Sequence, residues 1–238
     1  MNYQPRPALS ANILLARMEL PPADLDVVEA ERGHVIWEHG ALIERVVFPL
    51  SGMVSLVVAT EDGRGVEAAT VGREGAIGAT PGLKPIHAFA RAVVQIPGVI
   101  AQVEIGRLRE VAQRDEVVRD TLDRWREALL RQVMQGAACN ALHETPERAA
   151  RWIAMTRDRS DEDELPLTQE FLAEMLGVNR PTVSLAAQDL AARGLIEYRR
   201  GTIRVLDRAG LEAASCPCLW VSRTAYEELM GPTSRRRP

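Results

Sequence analysis

The segment 167–184 constrains the fold more than any other part of the sequence. Thr168 suits the N-cap position of a helix, and apolar residues follow it at helical spacing. Gly177 can adopt the positive φ that ends such a helix, because it has no Cβ. Asn179 and Pro181 then suit the cap and the first turn of another helix. The segment therefore predicts two short helices joined by a glycine-containing turn.

The second predicted helix has two chemically different faces. Apolar residues at 183, 186, 187 and 190 are spaced to face a core, whereas Arg180, Ser184 and Gln188 align on the other side. In a helix-turn-helix, the second helix lies in the major groove of DNA, and its N-terminal residues contact base edges. Arg180 is the candidate for guanine recognition, since its guanidinium can bond both acceptors of that base. The other candidates for base or phosphate contacts are Thr168, Gln169, Asn179, Thr182, Ser184 and Gln188.

The residues after this helix pair carry local positive charge. Residues 195–205 alternate around a tight turn, which predicts a hairpin with Arg199 and Arg200 at its tip. Six arginines and three acidic residues lie between 179 and 208, although the whole chain has a formal charge of −4. Arginines on an exposed hairpin can contact DNA phosphates. The pattern favours a winged helix-turn-helix over a plain helix pair.

Residues 27–104 have a different texture. Short apolar runs alternate with glycine and proline turns, and Asp62-Gly63 is typical of a hairpin turn. This spacing predicts a sandwich, barrel or roll, preceded by a short helix at 13–20. The predicted strands are 35–37, 46–48, 54–59, 66–71, 92–96 and 100–105.

Residues 107–137 contain no proline and no glycine before Gly136, which predicts one long helix. Apolar residues recur in it at heptad spacing, interrupted by Asp115 and Gln132. We expect a two-stranded dimer seam here, and a core helix packed on the roll is the alternative. A further helix is predicted at 139–157, with an acidic loop after it. The predicted seam consists of Leu108, Val111, Val118, Leu122, Trp125 and Leu129.

Residues 167–206 resemble the DNA-binding domain of the Crp/Fnr family of bacterial transcription factors. The order of the domains is also similar, from about residue 12 to residue 218. The resemblance implies an α+β fold: a jelly-roll-like β-roll at 12–106, a dimerisation helix at 107–137 and a winged helix-turn-helix at 138–220. It also implies a sequence-specific regulator that binds a roughly palindromic site on double-stranded DNA as a homodimer, with RNA polymerase as a candidate partner.

The resemblance also marks individual positions in the second helix. Arg180, Pro181, Ser184 and Leu185 fall on the DNA-reading positions of the family. Pro181 and Leu185 depart from the glutamate or arginine that the best-known members often carry there. The resemblance therefore implies DNA binding, and these two positions leave the operator sequence unassigned.

Members of the family often bind a cyclic nucleotide in the roll. The matching positions in this sequence are Gly78, Ala79, Arg91 and Ala92. Ala79 stands where the ribose-binding glutamate is expected, and an arginine without that acidic partner makes a poor site. We therefore expect neither a cyclic nucleotide nor another cofactor.

The chain has three cysteines, too few for a disulfide scaffold or for an iron–sulfur cluster held by four thiolates. Oxygen-sensing members of the family carry N-terminal cysteines, whereas the first cysteine here is Cys139. We interpret Cys216 and Cys218 as a close pair of free thiols and His143 as isolated. No metal site is expected.

Two other classes of protein are alternatives for this sequence. A cupin-like enzyme would hold a metal with His34, Glu38 and His39, but their spacing is wrong for a compact ligand pair and common catalytic motifs are missing. We therefore predict no enzyme. A sensor that acts through protein partners would not need Arg180 or the basic hairpin. The sequence shows neither a signal peptide nor a membrane-length apolar run, so we expect a cytoplasmic protein.

Overall fold

The computed structural model describes residues 7–61, 65–160, 163–199 and 201–232. The contacts in the chain divide it into two units, and each unit has buried apolar residues of its own. No helix in these ranges is long and apolar enough to cross a membrane. The first unit comprises residues 1–56 and 70–127, and the second comprises residues 57–69 and 128–238.

The first unit begins with the predicted short helix, α1 (Ile13–Met18). Asn12 caps it, because its side-chain oxygen accepts hydrogen bonds from two backbone N–H groups of the first turn. The Asn12 amide nitrogen donates to the carbonyl oxygens of Pro49 (2.9 Å) and Gly75 (2.8 Å). Asn12 is fully buried, so these bonds satisfy its polar atoms and hold α1 against the strands.

Short strands form the rest of the roll. They are β1 (Asp26–Ala30), β2 (Val35–Trp37), β3 (Leu42–Ile43), β4 (Arg45–Pro49), β5 (Met53–Ala59), β6 (Gly65–Val71), β7 (Ile86–His87), β8 (Arg91–Ile96) and β9 (Gly98–Glu104). The strand orders are β1-β9-β4, β2-β8-β5-β6 and β3-β7. The six predicted strands are confirmed. β1 was missed because much of it is exposed, and β3 and β7 are too short to show a period. The predicted Asp62-Gly63 turn lies outside the described residues.

The predicted long helix is confirmed, but its bounds of 107–137 are wrong. Two helices occupy this region, α2 (Ile105–Arg114) and α3 (Glu116–Leu142). Asp115 between them is extended, with φ −121° and ψ 114°. Its carboxylate accepts a hydrogen bond from the Val117 backbone N–H at 2.8 Å. Asp115 thus caps α3, which explains the break in the helix.

The predicted dimer seam is also wrong for most of its residues. Leu108, Val118, Leu122 and Trp125 are buried within the single chain, and Val111 and Leu129 are half-buried. The Trp125 indole N–H donates to the Ala76 carbonyl at 2.7 Å, and a Cβ at Gly75 would collide with the Trp125 ring. The alternative, a core helix packed on the roll, therefore describes this part of α3.

The second unit contains parts of β5 and β6, the C-terminal half of α3 and the chain that follows it. The helix predicted at 139–157 is divided, because α3 continues to Leu142 and a new helix begins at Thr145. Pro146 lacks a backbone N–H and suits the first turn of the new helix. The elements that follow are α4 (Thr145–Ser160), β10 (Glu164–Leu165), α5 (Gln169–Leu176), α6 (Arg180–Ala192), β11 (Ile196–Arg199), β12 (Thr202–Val205), α7 (Arg208–Ala214) and α8 (Cys218–Met230).

The predicted winged helix-turn-helix is confirmed as a fold. Strands β10, β12 and β11 form one sheet in that order, and the two-residue β10 was not predicted. The predicted acidic loop is shorter than expected, because α4 continues to Ser160. The predicted domain end at 220 falls inside α8. The core of this unit includes Ile153, Leu165, Leu167, Leu172, Val183 and Leu190.

Candidate nucleic-acid interface

The helix pair α5–α6 is built by the local signals that the sequence predicts. The Thr168 hydroxyl accepts a hydrogen bond from the Phe171 backbone N–H at 3.1 Å, which caps α5. Gly177 ends that helix with φ 64°. The Asn179 side-chain oxygen accepts from the Thr182 backbone N–H at 2.9 Å and caps α6. Each cap satisfies a backbone donor that the helix start would leave unpaired.

Helix α6 buries one face and exposes the other. Val183, Ala186, Ala187 and Leu190 are at most 5% exposed, as predicted. Leu185 on the other face is 68% exposed. An apolar side chain this exposed on an otherwise polar surface suits contact with another molecule. The exposed candidates on this face are Arg180, Pro181, Leu185 and Gln188.

Four of the predicted contact residues make hydrogen bonds to one another instead of projecting freely. The Ser184 hydroxyl donates to the Gln169 side-chain oxygen at 2.6 Å, across the helix pair. The Thr182 hydroxyl donates to the Asn179 side-chain oxygen at 2.7 Å. These bonds fix the angle and the start of α6. These four residues therefore hold α6 in place, and their side chains contribute less than Arg180 and Leu185 to its exposed face.

The hairpin β11–β12 is the wing of this fold, and it carries exposed arginines in surface ion pairs. Arg199 is 78% exposed in its side chain and pairs with Glu197 at 2.6 Å. Arg204 lies 3.9 Å from Glu164. Exposed ion pairs of this kind contribute little to stability, so DNA phosphates can replace the carboxylates at low cost. Arg200, the other predicted phosphate contact, lies outside the described residues.

The predicted effector positions are constrained by contacts within the first unit. Gly78 has φ 79°, and a Cβ there would lie 2.4 Å from the Arg45 carbonyl oxygen. The carbonyl of Ala79 accepts a hydrogen bond from Arg126 Nε at 2.8 Å. Arg91 pairs with Glu38 at 3.5 Å, and Ala92 is fully buried. Sequence reasoning missed Arg126, because nothing in the local pattern of α3 connects it to the loop after β6.

The residues of the cupin alternative do not gather around a common point. His39 Nδ1 lies 2.8 Å from the Phe89 carbonyl oxygen, and Glu38 is the partner of Arg91. His34, Glu38 and His39 do not form a group with metal-ligand geometry in the described part of the chain.

A second constellation lies outside the helix pair. Cys139, His143, Cys216 and Cys218 place their ligand atoms within 4.8 Å of one another, and the three cysteines are buried. The interpretation of His143 as isolated is therefore wrong. A hydrogen bond with Cys216 lowers the pKa of the Cys139 thiol to about 5, against the effect of burial, and Arg151 adds to the lowering. The same hydrogen bond, together with burial, raises the pKa of Cys216.

Two family models match the chain in the predicted order. Residues 27–115 match the cyclic nucleotide-binding domain, and residues 147–214 match the Crp-like helix-turn-helix domain. Together they span more than half of the sequence. The chain belongs to the Crp/Fnr family of transcription regulators.

Solved structures share the fold. FixK2 of Bradyrhizobium japonicum is 19% identical, covers 81% of this chain and 98% of its own, and has a TM-score of 0.70. A CRP-family regulator of Thermus thermophilus is 21% identical, with coverage of 79% and 96% and a TM-score of 0.66. The c-di-GMP responsive regulator CLP of Xanthomonas campestris is 16% identical, covers 82% of this chain and 98% of its own, and has a TM-score of 0.62. No curated protein matches the sequence significantly. At these identities the likeness establishes the fold alone.

Proposed function

We propose that the protein binds a roughly palindromic site on double-stranded DNA as a homodimer and thereby controls transcription by RNA polymerase in the cytoplasm. The exposed face of α6 is the observation that carries this proposal. It presents a cationic and an apolar side chain, Arg180 and Leu185, on a helix that is fixed from behind by capping and packing. A helix serving only as core would bury these positions.

The exposed side chains have complementary roles in the major groove. Arg180 at the start of α6 donates to the two acceptors of a guanine, and Leu185 contacts the methyl group of a thymine. Gln188, two turns after Arg180, suits the donor and acceptor pair of an adenine. The N-terminal amides of α5 and the wing residue Arg199 bind phosphates and set the register.

The second copy binds along the C-terminal half of α3. Leu130 and Met134 are 52% and 54% exposed there, and Ala137 and Ala141 continue the stripe on the exposed surface. Their spacing of four, three and four residues is the heptad spacing of a two-stranded seam. This seam replaces the one predicted for the first half of the helix. A twofold pair would present two α6 helices to half-sites about 34 Å apart.

A cyclic nucleotide is not the effector that we propose. The acidic residue expected for the ribose is Ala79, and Arg91 already has Glu38 as a partner. We propose that the roll acts as a scaffold or responds to another signal.

Binding to genomic DNA tests the proposed function. DNA fragments recovered with the protein from cells should share a palindromic motif, and the purified protein should shift them as a dimer. Affinity should fall steeply with salt, because the arginines displace counterions from the phosphates. A monomer in sedimentation, or binding that ignores salt and sequence, would refute the proposal.

A further inference from the structure

The geometry points to a zinc site in the second unit: Cys139, His143, Cys216 and Cys218 bind one Zn²⁺ ion in tetrahedral coordination. Cys139 lies near the end of α3, and His143 follows that helix directly. Cys216 lies between α7 and α8, and Cys218 begins α8. Three thiolates and one imidazole are a common ligand set of structural zinc sites. This site is separate from the surface of α6 that is proposed to bind DNA.

The distances between the ligand atoms fit a single ion. Cys139 Sγ and Cys216 Sγ are 3.5 Å apart, and so are Cys218 Sγ and His143 Nδ1. With Zn–S bonds of about 2.3 Å and Zn–N bonds of about 2.0 Å, a tetrahedron has S···S edges of about 3.8 Å and S···N edges of about 3.5 Å. The largest separation among the four atoms is at most 4.8 Å, so small side-chain rotations complete the shell.

The same distances argue against two other uses of the thiols. An iron–sulfur cluster places several irons and bridging sulfides between its ligands, which holds those ligands further apart than around one ion. A disulfide needs sulfurs about 2.05 Å apart, and Cys139 and Cys216 are well beyond bonding distance.

The surroundings of the four residues suit a charged metal–thiolate centre. Three thiolates around one Zn²⁺ leave a net negative charge, which is costly to bury without a cation nearby. Arg148 and Arg151 on α4 are 7% and 9% exposed, and the charge of each acts on Cys139. The Gln135 amide donates to Cys218 Sγ at 2.9 Å, a contact typical of the outer shell of a metal site.

The site is structural rather than catalytic, because four protein ligands leave no open position on the metal. It joins two segments that are far apart in sequence and holds the start of α8 against the end of α3. It also adjoins the helix pair. Arg148 donates to the Leu176 carbonyl oxygen at the last residue of α5 and to the Asn140 side-chain oxygen.

Metal analysis of the purified full-length chain tests the site. The protein should retain one zinc per chain after gel filtration with a mild chelator. The variants Cys218→Ser and His143→Ala should lose at least nine-tenths of it. His87→Ala, which changes an exposed histidine of the roll, is the matched control and should keep the full amount. Full zinc in Cys218→Ser, or iron with sulfide in the wild type, would overturn the assignment.

A second measurement on the unmodified protein covers the case in which the variants fail to fold. Co²⁺ exchanged into the wild type should give thiolate-to-metal charge-transfer bands and the intense visible bands of a tetrahedral site. The three cysteines should resist alkylation until a strong chelator removes the metal. A colourless cobalt sample, or alkylation that the chelator does not change, would equally overturn the proposal.

Discussion

The helix pair α5–α6 and the cysteine–histidine cluster belong to the same unit, but the sequence encodes them differently. Each part of the helix pair is specified by near neighbours: two caps, one glycine and one apolar face. The cluster unites Cys139 and Cys216, which are 77 positions apart in the chain. A recognition helix can therefore be identified within one segment, whereas a metal site assembled by topology becomes visible only when the chain is folded.

The two regions also differ in how their residues are used. Arg180 and Leu185 are exposed, so their effect is on binding and hardly on folding. The thiols are buried, so whatever occupies the space between them affects the stability of the whole unit. Substitutions in one region should therefore separate cleanly from substitutions in the other.

Removal of the metal should have the largest effect. Structural zinc contributes on the order of 10 kcal/mol to the folding of zinc-finger peptides, and we expect several kcal/mol here because the unit also has an apolar core. The chelated protein should melt at a lower temperature, and amide exchange should speed up first in α8. Added zinc should reverse both changes. Identical melting curves with and without chelator would show that the cluster is not a metal centre.

The Glu212→Gln variant should have the next largest effect. Burial raises the pKa of Glu212, but the hydrogen bond and charge of Arg223, together with those of Arg208, outweigh it and lower that pKa overall. Asp158 also pairs with both arginines. Removing the carboxylate charge from this partly buried network should cost about 2 kcal/mol at pH 7.

The pH dependence of this difference checks its cause. A carboxylate with a lowered pKa stabilises the folded state above its ordinary pKa of 4.5, and this stabilisation disappears as the pH falls through the lower folded value. The unfolding free energies of wild type and Glu212→Gln should therefore converge below pH 4.5. A constant difference from pH 7 to pH 3 would show that packing, and not the ion network, is responsible.

The Arg180→Ala variant should weaken DNA binding without changing the fold. Loss of a bidentate guanine contact costs about 1–3 kcal/mol, or roughly 5- to 150-fold in affinity. The preference at one base pair of each half-site should relax at the same time. Arg109→Ala on α2 is the matched control and should bind as the wild type does. Undiminished affinity in Arg180→Ala would remove this residue from the proposed reading face.

These contrasts explain what could be predicted from the sequence. Six strands of the roll, the two caps and Gly177 follow from short-range rules, and the structure confirms them. The break at Asp115 also had a local cause, but an acidic residue in a long helical pattern does not by itself predict a cap. The burial of Trp125 depends on Gly75 and Ala76, which lie far away in the sequence. For this reason we propose the dimer seam in the second half of α3 and not in the half that the sequence predicts.

The Leu185→Ala variant should have the smallest effect and make the sharpest distinction. Its side chain is mostly exposed, so truncation should leave the melting temperature nearly unchanged. Loss of the contact with a thymine methyl group should cost about 1 kcal/mol, roughly fivefold in affinity. The loss should vanish on a site in which uracil replaces that thymine, since uracil lacks the methyl group. An equal loss on both sites would place Leu185 against the sugar–phosphate backbone, and no loss on either would leave Arg180 and Gln188 as the reading residues of α6.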